Sequence, residues 1–176
     1  MLFLPNNYVR RMSPRYFDDT SNTDQWQDTE YQIAAQYRYE RVLDYGCGSA
    51  YKLRKYFHNY TGVDVPQTVK WLRENYPDGD WRHDDEIDRR YDLVLSMDVI
   101  EHVIDPESFL AKLLIVGETV ILSTPERISL HQGPPFNSAH VQEWAFDEFH
   151  SFVSQWAKVY RHERTPQNGQ LIVCGP

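Results

Sequence analysis

Two groups of residues in this chain have types and spacing suited to chemistry. The first is Asp44-Tyr45-Gly46-Cys47-Gly48-Ser49-Ala50, an acid closing an apolar run, then a glycine-rich turn. Gly46 and Gly48 allow the backbone to turn tightly and keep side chains out of a ligand's way. The amides of a helix starting at about Ala50 would favour an anionic or polar group. Asp44 is expected to point from its strand end into the crevice above a sheet. Asp64 follows Gly46 by 18 residues, close to the spacing at which a carboxylate accepts hydrogen bonds from ribose hydroxyls. The second group is Asp98, Glu101 and His102, with His140 further along. Residues three and four apart share the face of a helical turn, so the first three can converge. Histidine titrates near neutrality and suits proton transfer; His131 is a third candidate. The plainer alternatives are a structural turn for the glycines and a hydrogen-bonded, pocket-lining pair for Glu101 and His102.

These residues need elements to hold them, and composition bounds what those elements are. The 176 residues suit one domain with its own core. Apolar residues make up 41% and aromatics 14%, a globular composition. A net charge of −8 disfavours a broad phosphate-binding surface, so a nucleic-acid partner is not expected. Cys47 sits inside the glycine turn and Cys174 near the end of the chain, which favours free thiols and a reducing compartment. No signal-like or long apolar run is visible. A cytoplasmic protein with no membrane partner, monomeric or homodimeric, is the expectation.

The chain divides into an arm over residues 1–22 and a single domain over 23–176. The arm carries Arg10, Arg11 and Arg15, either a solvated basic cluster or a clamp for an acidic substrate. A helix is predicted from Asp24 to about Arg38, capped by Thr23 or Asp24; Trp26, Gln27 and Tyr31 on it face either a pocket or the core. After the glycine turn, strands are predicted over 60–65, 80–84, 91–96 and 118–123. Pro66 opens one helix and Asp105-Pro106 caps another. The long stretch Glu126–Ala139 is predicted as a functional loop, followed by a helix over 146–156 and a hairpin pairing 158–164 with 170–174. Alternating strands and helices closed by an antiparallel pair predict a doubly wound, mostly parallel α/β sheet with helices on both faces. The glycine turn and the acids then fall at carboxyl strand ends, where ligands sit.

Asp-Tyr-Gly-Cys-Gly at 44–48, Gly-Val-Asp at 62–64 and Asp-Leu-Val-Leu-Ser at 92–96 followed by Asp-Val-Ile-Glu-His-Val resemble the type-11 branch of class I S-adenosylmethionine (SAM) methyltransferases. Ser-Thr-Pro-Glu-Arg at 123–127 and His140-Val-Gln-Glu-Trp144 extend a local likeness to the ubiquinone-biosynthesis O-methyltransferases. The resemblance implies a seven-stranded Rossmann-like sheet, SAM as cofactor and S-adenosylhomocysteine as product. It implies SAM contacts from Asp44, Gly46, Cys47, Gly48, Asp64, Val65, Met97 and Asp98. Asp84, with Asp80 as the substitute, would meet the adenine amino group. Asp98-x-x-Glu101-His102 is similar to a Glu-x-x-Glu-His motif that holds a divalent metal in some relatives. A magnesium, manganese or zinc ion on Asp98, Glu101, His102 and His140 is therefore one reading, and a site without metal the other.

The reaction the resemblance implies is in-line displacement at a sulfonium, in which placing the acceptor supplies most of the acceleration. A hydroxyl or amine of a small molecule is the expected acceptor, with His102, His140 and Glu101 as the groups that would handle its proton. Two other classes stay open: a SAM-binding module without catalysis and a nucleotide-linked oxidoreductase.

Overall fold

A computed structural model describes residues 10–12, 15, 20, 26–37, 39–127 and 133–176. Its centre is a seven-stranded sheet of order β3-β2-β1-β4-β5-β7-β6. In chain order the elements are α1 (Asp28–Ala34), β1 (Val42–Tyr45), α2 (Tyr51–Tyr56), β2 (Tyr60–Val63), α3 (Pro66–Asn75), β3 (Asp80–Arg82), β4 (Tyr91–Met97), α4 (Pro106–Val116), β5 (Gly117–Pro125), α5 (Phe146–Val153), β6 (Lys158–Thr165) and β7 (Gly169–Gly175). Strands β1 to β5 run parallel. Only β7 and β6 are antiparallel, as the closing hairpin predicts.

The order reverses between β1 and β4. The chain leaves β1 through α2 on one face and β4 through α4 on the other, so the carboxyl ends of β1 and β4 open onto a crevice. Period-two alternation divides the central strands between two cores. Leu93, Leu95 and Met97 of β4, with Leu171 and Val173 of β7, pack under α1, α2 and α3 through Ala34, Leu53, Val69 and Leu72. Val94, Ile172 and Cys174 face the other way, onto Phe109, Leu110 and Leu113 of α4 and Phe149 and Phe152 of α5. Because both faces are covered, β4 reads as an unbroken apolar run.

Several boundaries differ from expectation. Helix α1 ends at Ala34 instead of running to residue 38, because Gln36 and Tyr37 tighten into i→i+3 bonds on Ile33 and Ala34. The predicted caps Thr23 and Asp24 lie outside the described residues, as do 128–132 of the long loop and its His131. Strand β3 stops at Arg82, and Asp84 opens a short 3₁₀ turn over 84–86. Helix α5 ends at Val153, one turn early. Asp105 does cap α4, accepting from the Ser108 amide at 3.0 Å. No helix among the described residues is long and apolar enough to cross a membrane.

Candidate active site

A cavity of about 1070 Å³ opens over the carboxyl ends of β1, β2 and β4. Its floor is the glycine turn. Gly46 has φ +86° and Gly48 φ +52°, both left-handed. A methyl on Gly46 would also lie 2.4 Å from Val99 Cγ2, so two independent reasons demand glycine there. Asp64, one residue past β2, receives the Gly48 amide on Oδ2 at 2.8 Å and the Val65 amide on Oδ1 at 2.7 Å. The acid thus clips the glycine turn to the end of the next strand and presents its carboxylate to the same cavity as Cys47, Val65 and Met97.

Asp44 is placed differently from expectation. It is fully buried and does not line the cavity. The Tyr31 hydroxyl donates to its Oδ2 at 2.7 Å. Burial pushes its carboxyl up to about 7, against the pull of the Tyr31 bond. Its place is beneath the turn, tying α1 to β1. Tyr31 itself lines the cavity with Trp26 and Gln27, so the roof helix faces the pocket and the core at once.

Asp98 is a second correction. It lines the cavity, but its backbone is left-handed at φ +53°. Ser123 Oγ donates to Oδ1 at 2.7 Å, and Trp26 Nε1 and Gln27 Nε2 donate to Oδ2 at 3.0 Å each. The helical face it was expected to share with Glu101 and His102 does not exist: the turn begins only at Ile100. Asp98 holds the roof and is not among the clustered Glu101, His102 and His140. Gln27, at φ +63°, is left-handed too. Non-glycine residues in this region carry strain that packing must support, and such strain gathers at ligand sites.

Asp84 lines the cavity wall, while Asp80 turns away to Thr61 Oγ1 and Arg82. Asp84 is clamped by the Tyr45 hydroxyl on Oδ1 and Lys112 Nζ on Oδ2. Burial acts to raise its carboxyl, but the Lys112 and Tyr45 bonds outweigh it and hold it below the usual range. No motif marks Lys112, and Tyr45 stands in the sequence only as a variable place in the glycine motif.

At the far end, Glu101, His102 and His140 come together, each offering an atom within 4.8 Å of the others. The Val141 amide donates to the Glu101 carbonyl at 2.7 Å, which docks the distant segment onto the turn after β4. The two imidazoles meet edge to face, ring centres 4.8 Å apart. Ala139 O lies 3.0 Å from His102 Nδ1, which fits a protonated Nδ1 and leaves Nε2 the basic nitrogen. Burial holds His102 below the usual histidine range, hence neutral at pH 7. His140 Nδ1 meets Glu143 Oε1 at 2.6 Å and Nε2 meets Asn137 Nδ2 at 3.0 Å. Glu101 is fully buried, and neither carboxyl oxygen has a hydrogen-bond partner among the described residues. Burial, then the nearby Asp98, drive its carboxyl well above the usual range. Glu101 Oε1 lies 3.8 Å from His102 Nε2.

The arm also reaches this end. The Arg11 and Arg15 amides donate to Val141 O and Ser138 O at 2.8 Å each, and Arg15 lines the cavity. Arg11 donates its side chain to Pro135 O at 2.9 Å, and Arg10 to Ile104 O.

Comparisons place this geometry among known proteins. A putative methyltransferase in complex with the Trm112 methyltransferase activator, from Haloferax volcanii, superposes with a TM-score of 0.66 at 16% identity, covering 92% of this chain and 99% of that one. Magnesium protoporphyrin IX methyltransferase from Synechocystis PCC 6803, with bound S-adenosylhomocysteine, gives 0.62 at 14% identity, covering 84% and 82%. An S-adenosylmethionine-dependent methyltransferase from Clostridium acetobutylicum gives 0.67 at 10%, covering 88% and 93%. At these identities the likeness shows the fold. No curated protein sequence matches the chain. A family profile described as a methyltransferase domain matches residues 8–163.

Proposed function

The chain belongs to the methyltransferase-domain family, and from that premise we propose that it transfers a methyl group from S-adenosylmethionine to a hydroxyl or amine of a small molecule. The observation that carries this reading is the shared cavity. The glycine turn and Asp64 occupy one end, and Glu101, His102 and His140 the other. Asp64 suits the ribose diol and the Asp84 wall the adenine. The sulfonium then lies over Gly46, between the two ends.

Methyl transfer releases a neutral thioether, so no developing anion needs stabilising at the donor. Alignment of the acceptor with the methyl does most of the work. A hydroxyl or ammonium acceptor must also lose a proton. His102 is placed for this: its Nε2 is basic, its ring is fixed through Nδ1 on Ala139, and it is neutral at pH 7. Glu143 orients His140 as a carboxylate orients a metal-ligating or basic histidine.

The donor set also fits a divalent ion. Glu101, His102 and His140 combine one carboxylate with two imidazoles, and the two buried Glu101 oxygens have no partner in hydrogen-bonding range among the described residues. Bonds of about 2.0–2.2 Å would require a small contraction of the cluster and would displace Asn137 from His140 Nε2. A bound ion would lower the pKa of an acceptor hydroxyl. Asp98 is not in the set.

The test is calorimetric titration with SAM, then a turnover screen over hydroxylated and amine small molecules, run with and without chelator. Turnover on a hydroxyl or amine acceptor supports the proposal. Activity that vanishes with chelator and returns with magnesium, manganese or zinc assigns the metal; indifference to chelator assigns His102 as base. SAM binding without turnover on any acceptor class would favour a non-catalytic module.

A further inference from the structure

We infer that Lys52 is the residue that recognises the α-carboxylate of the methyl donor. This rests on the donor reading above and extends it to a residue that no motif marks. Lys52 is the second residue of α2, lines the cavity and is only 5% exposed. Its Nζ is buried and has no hydrogen-bond partner among the described residues. A buried ammonium without a partner is strongly unfavourable, so its placement calls for an anion that arrives from outside the fold.

The two nearby acids do not supply one. Asp44 directs Oδ2 to Tyr31, and burial favours its protonated form. Glu30 on α1 is held above its usual range by burial, and its Oε1 sits against the β6–β7 turn, 3.2 Å from where a Gly169 side chain would begin. Both acids feel Lys52 electrostatically, yet neither bonds to it.

The donor's only anionic group is its α-carboxylate. With the ribose on Asp64 and the adenine toward Asp84, the amino-acid tail must run the opposite way, beneath Gln27 and Tyr31 of the roof. Among the described residues, Arg15 is the only other lysine or arginine in the cavity lining, and it sits with Asn137 and His140 at the acceptor end. Lys52 therefore meets the tail. Its buried ammonium gains a partner when the donor binds, which strengthens the contact relative to one in water.

The test compares two ligands on two proteins: SAM and decarboxylated SAM, titrated into the wild-type chain and into Lys52→Met. Wild type should bind the decarboxylated compound about 10–100-fold more weakly than SAM. Lys52→Met should lose about the same factor for SAM and change little for the decarboxylated compound, so that discrimination collapses. Lys52→Arg, which keeps the charge, should retain most of it and serves as the variant of record if the methionine protein does not fold. Equal wild-type affinity for both ligands, or discrimination that survives in Lys52→Met, would overturn the assignment alone. A wild-type chain that binds neither ligand would overturn the donor reading, and this inference with it.

Discussion

The two ends of the cavity are built on different principles. The donor end is local. Gly46, Cys47 and Gly48 follow β1 directly, Asp64 follows β2, and the bonds that join them run from backbone amides to one carboxylate. The acceptor end is assembled from afar. His102 and His140 are 38 positions apart in sequence, and backbone bonds from the Val141 and Gln142 amides to the Glu101 carbonyl hold the segments in register. The donor end ties its acid to two backbone amides, while the acceptor end buries Glu101 with no hydrogen-bond donor in bonding range among the described residues. One end suits a constant ligand and the other a proton or a charge that changes during turnover.

If the division is real, single substitutions should affect one end and spare the other. The largest effect is expected at the acceptor end. His102→Ala should lower kcat by roughly 10²–10⁴-fold while the SAM affinity stays within about twofold, as read by calorimetry. A matching loss of SAM affinity would merge the two ends into one.

Gly46→Ala comes next. A left-handed alanine is disfavoured by about 1–2 kcal/mol, and its methyl would meet Val99 at 2.4 Å. SAM affinity should fall by about 100-fold or more, and the melting temperature should drop. A variant with normal SAM binding would show that the turn is not the donor floor.

Asp64→Ala removes an acceptor for the ribose and frees the Gly48 amide. The expected loss is on the order of 1.5–3 kcal/mol of SAM binding, about tenfold or more in Kd, with kcat at saturating SAM little changed. Unaltered affinity would move the ribose elsewhere.

The smallest effect concerns stability and belongs to the acid under the donor end. The Asp44 carboxyl sits at about 7 when folded, above the ordinary aspartate value of 3.8. Between those values the folded chain keeps a proton that the unfolded chain has released. Asp44 therefore makes stability fall as pH rises through this window, with a slope approaching 1.4 kcal/mol per pH unit, and has no further effect above it. Glu30 and Glu101, also raised by burial, act in the same direction. Urea unfolding of the wild type and of Asp44→Asn at pH 4.5, 5.5 and 6.5 should show a shallower slope for the variant. Parallel slopes would mean that the buried acid is ionised throughout.

The sequence by itself determined the order of elements and the donor end. A strand, an acid and a glycine turn are contiguous, and the second acid lies one βα step on, so spacing alone brings them together. The continuous apolar run of β4, the helix start at Pro66 and the cap at Asp105 are likewise local. Only the tertiary structure decided the rest. That Asp44 lies under the turn, that Asp98 braces Trp26 and Gln27, and that Lys112 clamps Asp84 all depend on helices α1 and α4 crossing the strand ends. The left-handed backbone at Asp98 breaks a face that helical spacing predicted. Lys52 shows the limit most plainly: on α2 its position gives no sign that burial will leave its ammonium without a hydrogen-bond partner among the described residues. Local backbone chemistry is written in neighbouring residues, whereas the electrostatic setting of a side chain is set by elements that arrive from elsewhere in the chain.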